Sequence, residues 1–184
     1  MKTQKNLDGN LGGTLRSDVY KTYSNYFVKY IQSSQAKGND IYAITVQNEP
    51  LYAAYNYPGM FMSAQEQSNF IGNYLGPALA SAGIKTKIVA YDHNFDNTGY
   101  AISVCADKNA QKFVSGAGFH HYGGTESDIL VFKTQSSSKE IWITEAGFGN
   151  WEGMGNNLEQ FEKQMTLMIR TSRYWSKGYL IYFF

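Results

Sequence analysis

Two glutamates, Glu49 and Glu145, each follow a run of residues that predicts a buried β-strand, at 41–46 and 140–144. Two carboxylates that face each other are the minimum equipment for breaking a glycosidic bond. One carboxyl group must be protonated to donate to the leaving oxygen, and the other must be ionised to attack the anomeric carbon or to activate water. A structural alternative is that both glutamates form salt bridges or cap helices.

Polar residues follow four successive predicted strands. The segments are Gln47-Asn48-Glu49-Pro50, Asp92-His93-Asn94, His120-His121-Tyr122 and Thr144-Glu145-Ala146. Because the carboxyl ends of parallel strands meet at one rim, we expect these groups to converge as they do in an enzyme. The histidines lack the spacing of a helical metal site, so we expect no metal and no cofactor. Their expected role is to position hydroxyls or carboxylates by hydrogen bonds.

Helices are predicted on either side of the first strand. The first should begin at Ser17 or Asp18 and end near Gly38, because apolar residues recur along it at spacings of three and four. Those residues are Val19, Tyr23, Phe27, Tyr30 and Ile31. The second helix should begin with a capping box of Ser63 and Glu66, and Pro77 should kink or shorten it.

The last predicted helix begins near Asn156 and should end at Gly178. Its apolar positions predict one buried face, formed by Leu158, Phe161, Met165, Met168 and Ile169. A final apolar run at 179–184 predicts another strand.

The order of elements is a helix, then strand and helix four times, then a strand. This alternation predicts a parallel sheet with packed helices, either an open doubly wound sheet or a (β/α)8 barrel. No glycine-rich phosphate loop follows a strand, which disfavours a nucleotide-binding sheet. In an eight-stranded barrel, Glu49 and Glu145 would close strands n and n+3 and face each other across the mouth.

The composition excludes several functions. The chain has 184 residues, 17% of them charged, and its net charge of +1 gives no reason to expect nucleic-acid binding. A single cysteine, Cys105, excludes an intrachain disulfide. No apolar run is long enough to span a bilayer, and residues 1–6 carry no signal peptide. The high aromatic content of 16% is compatible with packing and with sugar recognition.

Two segments resemble signatures of glycoside hydrolase family 30, which contains the glucosylceramidases and related β-glycosidases. They are Val46-Gln47-Asn48-Glu49-Pro50-Leu51-Tyr52 and Trp142-Ile143-Thr144-Glu145. The segments Tyr91-Asp92-His93-Asn94 and Phe119-His120-His121-Tyr122-Gly123-Gly124 are similar to the ends of the family's strands 5 and 6.

The resemblance implies a retaining enzyme with a (β/α)8 barrel and an added β-sandwich. Glu49 matches the acid/base at the end of strand 4, and Glu145 matches the nucleophile at the end of strand 7. Asn48 matches the residue that hydrogen-bonds the sugar 2-hydroxyl. His120 and Tyr122 match residues that line the sugar site. Asp92, at the end of strand 5, is also expected at the substrate.

The same resemblance implies that residues 1–184 form a partial TIM-barrel catalytic domain, from about strand 4 to strand 8. Strands 1–3 and the β-sandwich would then be absent. The family has Trp-Asn where this chain has Phe183-Phe184, so Phe183 is a poorer match to the aromatic at the sugar. Because two sheet edges would expose unpaired backbone, we expect the isolated chain to aggregate and to have little activity.

The expected function is a retaining β-glycosidase of the glucosylceramidase type, acting on a carbohydrate or glycolipid. The alternatives are a β-1,6-glucanase or xylanase of the same family, a non-catalytic carbohydrate-binding barrel, and a domain without sugar chemistry. The aromatic loop at 51–62, with Tyr52, Tyr55 and Tyr57, should shape the leaving-group side. Family members usually act outside the cell or in lysosomes, and we expect an extracellular protein.

Overall fold

Within the part of the chain that the structure describes, five parallel strands form one sheet, in which every strand pairs with its neighbour in sequence. The computed structural model describes residues 1–3, 12–53, 59–148 and 157–182. The strands are β1 Ala43–Thr45, β2 Lys87–Asn94, β3 Val114–His120, β4 Glu140–Ala146 and β5 Ser176–Ile181. A doubly wound sheet reverses its strand order at a switch point, whereas a barrel wall does not. The sequential order therefore decides between the two predicted folds in favour of a partial (β/α)8 barrel.

Among the described residues, six α-helices connect and cover the strands. They are α1 Tyr20–Gln35, α2 Ala64–Phe70, α3 Gly76–Ser81, α4 Thr98–Ala106, α5 Ile129–Gln135 and α6 Asn157–Arg173. Parallel strands joined by right-handed crossovers in a single direction carry their helices on one face of the sheet. The core lies between these helices and the sheet, and its fully buried large side chains include Phe70, Leu75, Phe119, Phe132 and Ile143.

The predicted helix ends are confirmed in part. Ser63 accepts a hydrogen bond from the backbone N–H of Glu66, and the Glu66 carboxylate accepts from the backbone N–H of Ser63. The predicted cap of α1 is wrong, because the N-cap residue is Val19 and Asp18 is bound to the Arg16 guanidinium. The helix ends before Gly38, which has a φ of +80° that costs glycine little.

Pro77 does not end its helix. A single π-helical segment, Ile71–Leu75, joins α2 to α3, and the backbone N–H of Gly76 donates to the carbonyl oxygen of Ile71, five residues earlier. Proline has no N–H and its ring collides with the carbonyl of an ordinary helical turn. The wider turn before Pro77 fits that restriction, and the chain stays helical to Ser81.

The buried face of α6 differs from the predicted one. Leu158, Phe161 and Ile169 are 65%, 61% and 55% exposed, and Met165 and Met168 are half-buried. The buried residues are instead Gln164, Leu167 and Thr171. Among the described residues, α6 lies at one end of the row of helices, so nothing covers its more apolar face. Tyr30 of α1, also predicted to be buried, is 53% exposed.

Within the described part of the chain, no helix has both the length and the hydropathy needed to cross a membrane.

Candidate active site

Asp92 lies at a bulge near the carboxyl end of β2. Tyr91 and Asp92 both have positive φ, at 71° and 65°, and the register with β3 shifts between Tyr91 and His93. Left-handed backbone in residues other than glycine costs of order 1–3 kcal/mol each and persists only where neighbouring contacts impose it. The bulge carries β2 on to Asn94, three residues beyond the predicted strand end.

Two neighbouring strands hold the Asp92 carboxylate. The Thr45 hydroxyl on β1 donates to Oδ2 at 2.6 Å, and His120 Nε2 on β3 lies 3.0 Å from Oδ1. Burial alone would raise the pKa of Asp92, but the hydrogen bonds from His120 and Thr45 and the charge of His120 outweigh it and lower that pKa. Asp92 is therefore ionised, although it is only 5% exposed.

His120 stands between three carboxylates. Its Nδ1 atom is 3.4 Å from Glu49 Oε1 and 3.8 Å from Glu145 Oε2, while its Nε2 atom faces Asp92. Burial disfavours a charged ring, but hydrogen bonds to Asp92 and Glu49 and the charges of Asp92 and Glu145 raise the pKa of His120 to about 9. At neutral pH the ring is thus an imidazolium, whose Nε2–H group donates to Asp92 and whose Nδ1–H group faces Glu49 and Glu145 as an ion pair.

Glu49 occupies a tight turn a few residues after the end of β1. It has a φ of 46°, and its carbonyl oxygen accepts a hydrogen bond of 2.9 Å from the backbone N–H of Tyr52. The following Pro50 disfavours the right-handed helical region for Glu49, and Glu49 lies outside that region. The backbone N–H of Glu49 donates to the carbonyl oxygen of Asp92 at 2.9 Å, which ties the turn to β2.

Glu145 is a residue of β4 itself, because the strand runs two residues beyond its predicted end. It lies in register with His120 of β3. The Tyr122 hydroxyl donates to Glu145 Oε1 at 3.0 Å. The Glu145 side chain is 23% exposed and that of Glu49 is 16% exposed, so both carboxylates reach solvent while His120 lies beneath them.

The separation of the two glutamates is bounded by their shared histidine. Glu49 Oε1 and Glu145 Oε2 are no further apart than the sum of their distances from His120 Nδ1. That bound includes the roughly 5–5.5 Å of retaining glycosidases and the lower part of the roughly 6.5–9.5 Å range of inverting ones. The structure therefore brings the two glutamates close enough to act on one glycosidic bond.

A cleft of about 680 Å³ opens beside Glu49. Its lining consists of Glu49, Leu51, Tyr52, Tyr91, His93, Asn94, Asp96, Asn97 and Tyr122. Most of these residues come from the carboxyl end of β2 and the 3-10 turn Phe95–Asn97 that follows it. The cleft is wide enough for a sugar ring and carries both hydrogen-bonding and aromatic groups.

Residues 1–178 match the glycosyl hydrolase family 30 TIM-barrel domain. The chain belongs to glycosyl hydrolase family 30. This confirms the resemblance inferred from the two glutamate segments, and the five-stranded sheet is a part of that family's barrel.

Relatives of this family 30 chain carry two kinds of name. Endo-1,6-beta-D-glucanase BGN16.3 of Trichoderma harzianum is 40% identical over 170 residues, which cover 82% of this chain and 34% of the relative. Lysosomal acid glucosylceramidase of Mus musculus is 31% identical over 166 residues, which cover 80% of this chain and 32% of the relative. The chain thus spans about a third of the length of these curated relatives.

A solved structure agrees with the sequence comparison. The endo-beta1,6-glucanase BT3312 matches with a TM-score of 0.86 at 36% identity, covering 92% of this family 30 chain and 39% of that chain. The similarity therefore supports the β-1,6-glucanase alternative better than the glucosylceramidase type that we expected first.

The structure brings together most of the site residues predicted from the family 30 resemblance. Glu49, Asp92, His120, Tyr122 and Glu145 form one connected cluster. Asn48 lies in the turn after β1 with an exposed side chain. Phe183, Tyr55 and Tyr57 lie outside the described residues.

Some residues of the site were not singled out from sequence. Thr45 was interpreted only as part of an apolar strand, and Asp96 and Asn97 were not identified as candidates. For Asp96 and Asn97, the available signal was their position just beyond a strand end, next to Asp92-His93-Asn94. Among the described residues, no group of three or more His, Cys, Asp or Glu side chains is arranged to hold a metal ion.

Proposed function

We propose that this chain carries the catalytic centre of a retaining β-glycosidase that hydrolyses β-1,6-glucan, with Glu49 as acid/base and Glu145 as nucleophile. The observation that carries the mechanism is the position of His120, whose Nδ1 atom lies between the two glutamates. The similarity to endo-1,6-β-glucanases supports the substrate.

In the first step, the Glu145 carboxylate attacks the anomeric carbon and forms an ester with the sugar. The bond between the anomeric carbon and the glycosidic oxygen breaks, and Glu49 gives its proton to that oxygen. The Tyr122 hydroxyl, which donates to Glu145 Oε1, holds the attacking carboxylate in one orientation.

In the second step, Glu49 takes a proton from water, and the water oxygen attacks the anomeric carbon. The ester breaks, the sugar leaves, and both glutamates return to their starting states. An incoming sugar hydroxyl can replace this water and gives a new glycoside instead.

His120 compensates a charge that moves during the first step. Glu145 is negative before attack, and Glu49 is negative after it has donated its proton. Because the imidazolium is within 3.8 Å of both carboxylates, it stabilises the negative charge at either position without moving. We propose that Asp92, bound to the far side of the ring, positions His120 and keeps it charged.

The mechanism is tested by covalent labelling of a protein that contains this chain. Incubation with an activated 2-deoxy-2-fluoro-β-glucoside should trap the glycosyl ester, and peptide mass spectrometry should find the label on Glu145. A Glu145→Gln variant should take up no label under the same conditions. A label on another carboxylate of the wild-type protein would contradict the assigned roles.

The substrate is tested by comparing β-1,6-glucan with glucosylceramide and xylan. We expect release of β-1,6-linked oligosaccharides and much slower cleavage of the other two. Preferential cleavage of glucosylceramide would instead support the glucosylceramidase type, which the mouse relative represents.

A further inference from the structure

The cleft beside Glu49 lies on the leaving-group side of the proposed reaction. A binding role for this cleft therefore rests on the proposed function. Glu49 lines the cleft, whereas Glu145 does not. In a double displacement, the acid/base faces the departing oxygen and the nucleophile faces the anomeric carbon. A group that occupies this cleft is therefore the one that leaves with the proton of Glu49.

The lining of this cleft combines polar side chains with aromatic ones. The end of β2 and the turn after it contribute an imidazole, two amides and a carboxylate, from His93, Asn94, Asn97 and Asp96. On the β1 side, Tyr52 is half exposed and offers an aromatic face. Hydroxyl groups need both donors and acceptors, and the apolar face of a sugar ring packs on an aromatic ring.

Two buried polar atoms in the cleft wall have no hydrogen-bond partner among the described residues. They are His93 Nδ1 and Asn94 Oδ1. His93 is only 9% exposed, and its ring stacks against Tyr91 with the centroids 5.9 Å apart. Burial lowers the pKa of His93, so the ring is neutral and offers one donor and one acceptor. Buried polar groups are nearly always satisfied in proteins, so His93 and Asn94 keep unused hydrogen-bonding capacity next to the cleft.

Asp96 is held at the rim by a close approach of the loop after β3. A Cβ atom at Gly123 would lie 2.8 Å from Asp96 Oδ2 and 3.2 Å from Asn94 Nδ2. A Cβ atom at Gly124, which has a φ of +79°, would lie 2.6 Å from the backbone nitrogen of Asp96. The two glycines therefore let the loop after β3 pack directly on the turn that carries Asp96, whose carboxylate remains exposed to the cleft.

We propose that His93, Asn94 and Asp96 form a binding site for the leaving sugar, in which the Asp96 carboxylate accepts hydrogen bonds from its hydroxyl groups. These three side chains favour a leaving group that carries hydroxyl groups. The site serves equally for an incoming sugar that takes the place of water in the second step, because the departing and arriving groups occupy the same space.

The test compares two substrates of Asp96→Asn in a protein that contains this chain. One is a β-1,6-linked gluco-oligosaccharide, whose leaving group is a sugar, and the other is an aryl β-glucoside, whose leaving group has no hydroxyls to recognise. We expect kcat/KM to fall at least tenfold more on the oligosaccharide than on the aryl glucoside. Asp40→Asn, an exposed aspartate before β1, serves as the matched control and should give equal ratios for both substrates.

A second measurement does not depend on leaving-group chemistry. The 2-fluoroglucosyl ester on the enzyme should turn over faster when gentiobiose is added, because a hydroxyl of this disaccharide attacks the anomeric carbon, Glu49 takes its proton, and the ester bond to Glu145 breaks. In Asp96→Asn, we expect at least a tenfold weaker acceleration.

The outcomes separate the two proposals. Equal losses on both substrates together with undiminished acceleration by gentiobiose would overturn the leaving-sugar site and leave the proposed function in place. A wild-type protein that cleaves neither substrate would contradict the proposed function and the leaving-sugar site with it.

Discussion

The backbone N–H of Glu49 donates a 2.9 Å hydrogen bond to the carbonyl oxygen of Asp92, and both residues have left-handed backbone conformations. This hydrogen bond therefore restrains both the strained turn after β1 and the strained bulge of β2. Through this bond, the proposed acid/base is anchored to the same residue whose side chain holds His120. Rigid support of this kind keeps a carboxylate within the small tolerance that proton transfer requires.

Removing the proposed acid/base should affect substrates unequally. In Glu49→Ala, we expect hydrolysis of β-1,6-glucan to fall by roughly 10²–10⁴, the usual contribution of general acid catalysis. A dinitrophenyl glucoside should lose far less in the glycosylation step, because its leaving group needs no proton. Glu145→Ala should abolish turnover of both substrates, as followed by initial rates. Equal losses in the two variants on the activated substrate would show that the roles are wrongly assigned.

Tyr122→Phe removes one hydrogen bond from Glu145 and leaves the ring in place. A hydrogen bond to a charged group contributes roughly 1.5–3 kcal/mol, so we expect kcat to fall by about one to two orders of magnitude. Stability should hardly change, because Tyr122 is 39% exposed. Tyr26→Phe, at an exposed position on α1, is the control, with steady-state kinetics and thermal unfolding measured on both. A Tyr122→Phe protein with wild-type kcat would exclude a role for this hydroxyl.

The protein should become less stable at alkaline pH, because His120 loses its charge there. Its pKa is about 9 in the fold, above the ordinary value of 6.5, so its charged contacts stabilise the protein fully below about pH 6.5. This contribution is lost as the pH rises through 9. At 1.4 kcal/mol per pKa unit it amounts to roughly 3 kcal/mol at most. Urea unfolding at pH 6 and pH 9.5 should show the loss, and His120→Gln should show a smaller dependence over this range.

Asp92→Asn should lower the pKa of His120 by removing the charge bound to its Nε2 atom. We expect a lower kcat and an earlier alkaline decline of kcat on the aryl glucoside. A purely structural role would lower the amount of folded protein without moving the pH profile. An unchanged alkaline limb in folded Asp92→Asn would therefore count against Asp92 as a positioning residue.

Gly116→Ala should strongly destabilise the sheet. The added Cβ would lie 2.1 Å from the carbonyl oxygen of Glu140, and backbone atoms of a paired strand cannot move aside cheaply. We expect a loss of about 3 kcal/mol or more in the free energy of unfolding, at the high end for single substitutions. Gly99→Ala in α4 is the matched control. Its nearest contact would be an ordinary 3.7 Å, and alanine favours a helix by up to about 1 kcal/mol.

Aggregation of the isolated 184-residue chain remains a prediction. Among the described residues, β1 and β5 each pair on one side only. Leu180 and Tyr182 on or just after β5 are each about half exposed. We expect light scattering to rise with protein concentration at neutral pH and hydrolysis to be weak or undetectable. A monodisperse and active preparation of this chain alone would contradict the expectation.

The fold and the two glutamates could be predicted because their signals are local. An apolar run that ends in Gln47-Asn48-Glu49-Pro50 indicates both a strand and its polar rim. The bulge could not be predicted, because the residue types at Tyr91 and Asp92 do not indicate left-handed backbone conformations. Without it, β2 was predicted to end at Tyr91, and Asp96 was not recognised as part of the cleft.

The error at α6 has a different cause. Periodicity shows which face of a helix is apolar, but not which face the rest of the protein covers. In α6 the side that contacts the sheet is partly polar, and Gln164 donates to the Tyr179 hydroxyl at 3.1 Å. The apolar side, with Leu158 and Phe161, is exposed among the described residues.

Because each strand pairs with its sequence neighbour, the sheet imposes an order of assembly on the site. Glu49 on the turn after β1 and Glu145 on β4 share no strand pairing, and β2 and β3 must stand between them before they can meet. The residues of the site leave the ribosome in the order Glu49, Asp92, His120 and Glu145. The His120 imidazolium can therefore meet Glu49 and Asp92 before β4 adds Glu145, so the third carboxylate need not join a cluster that lacks a cation.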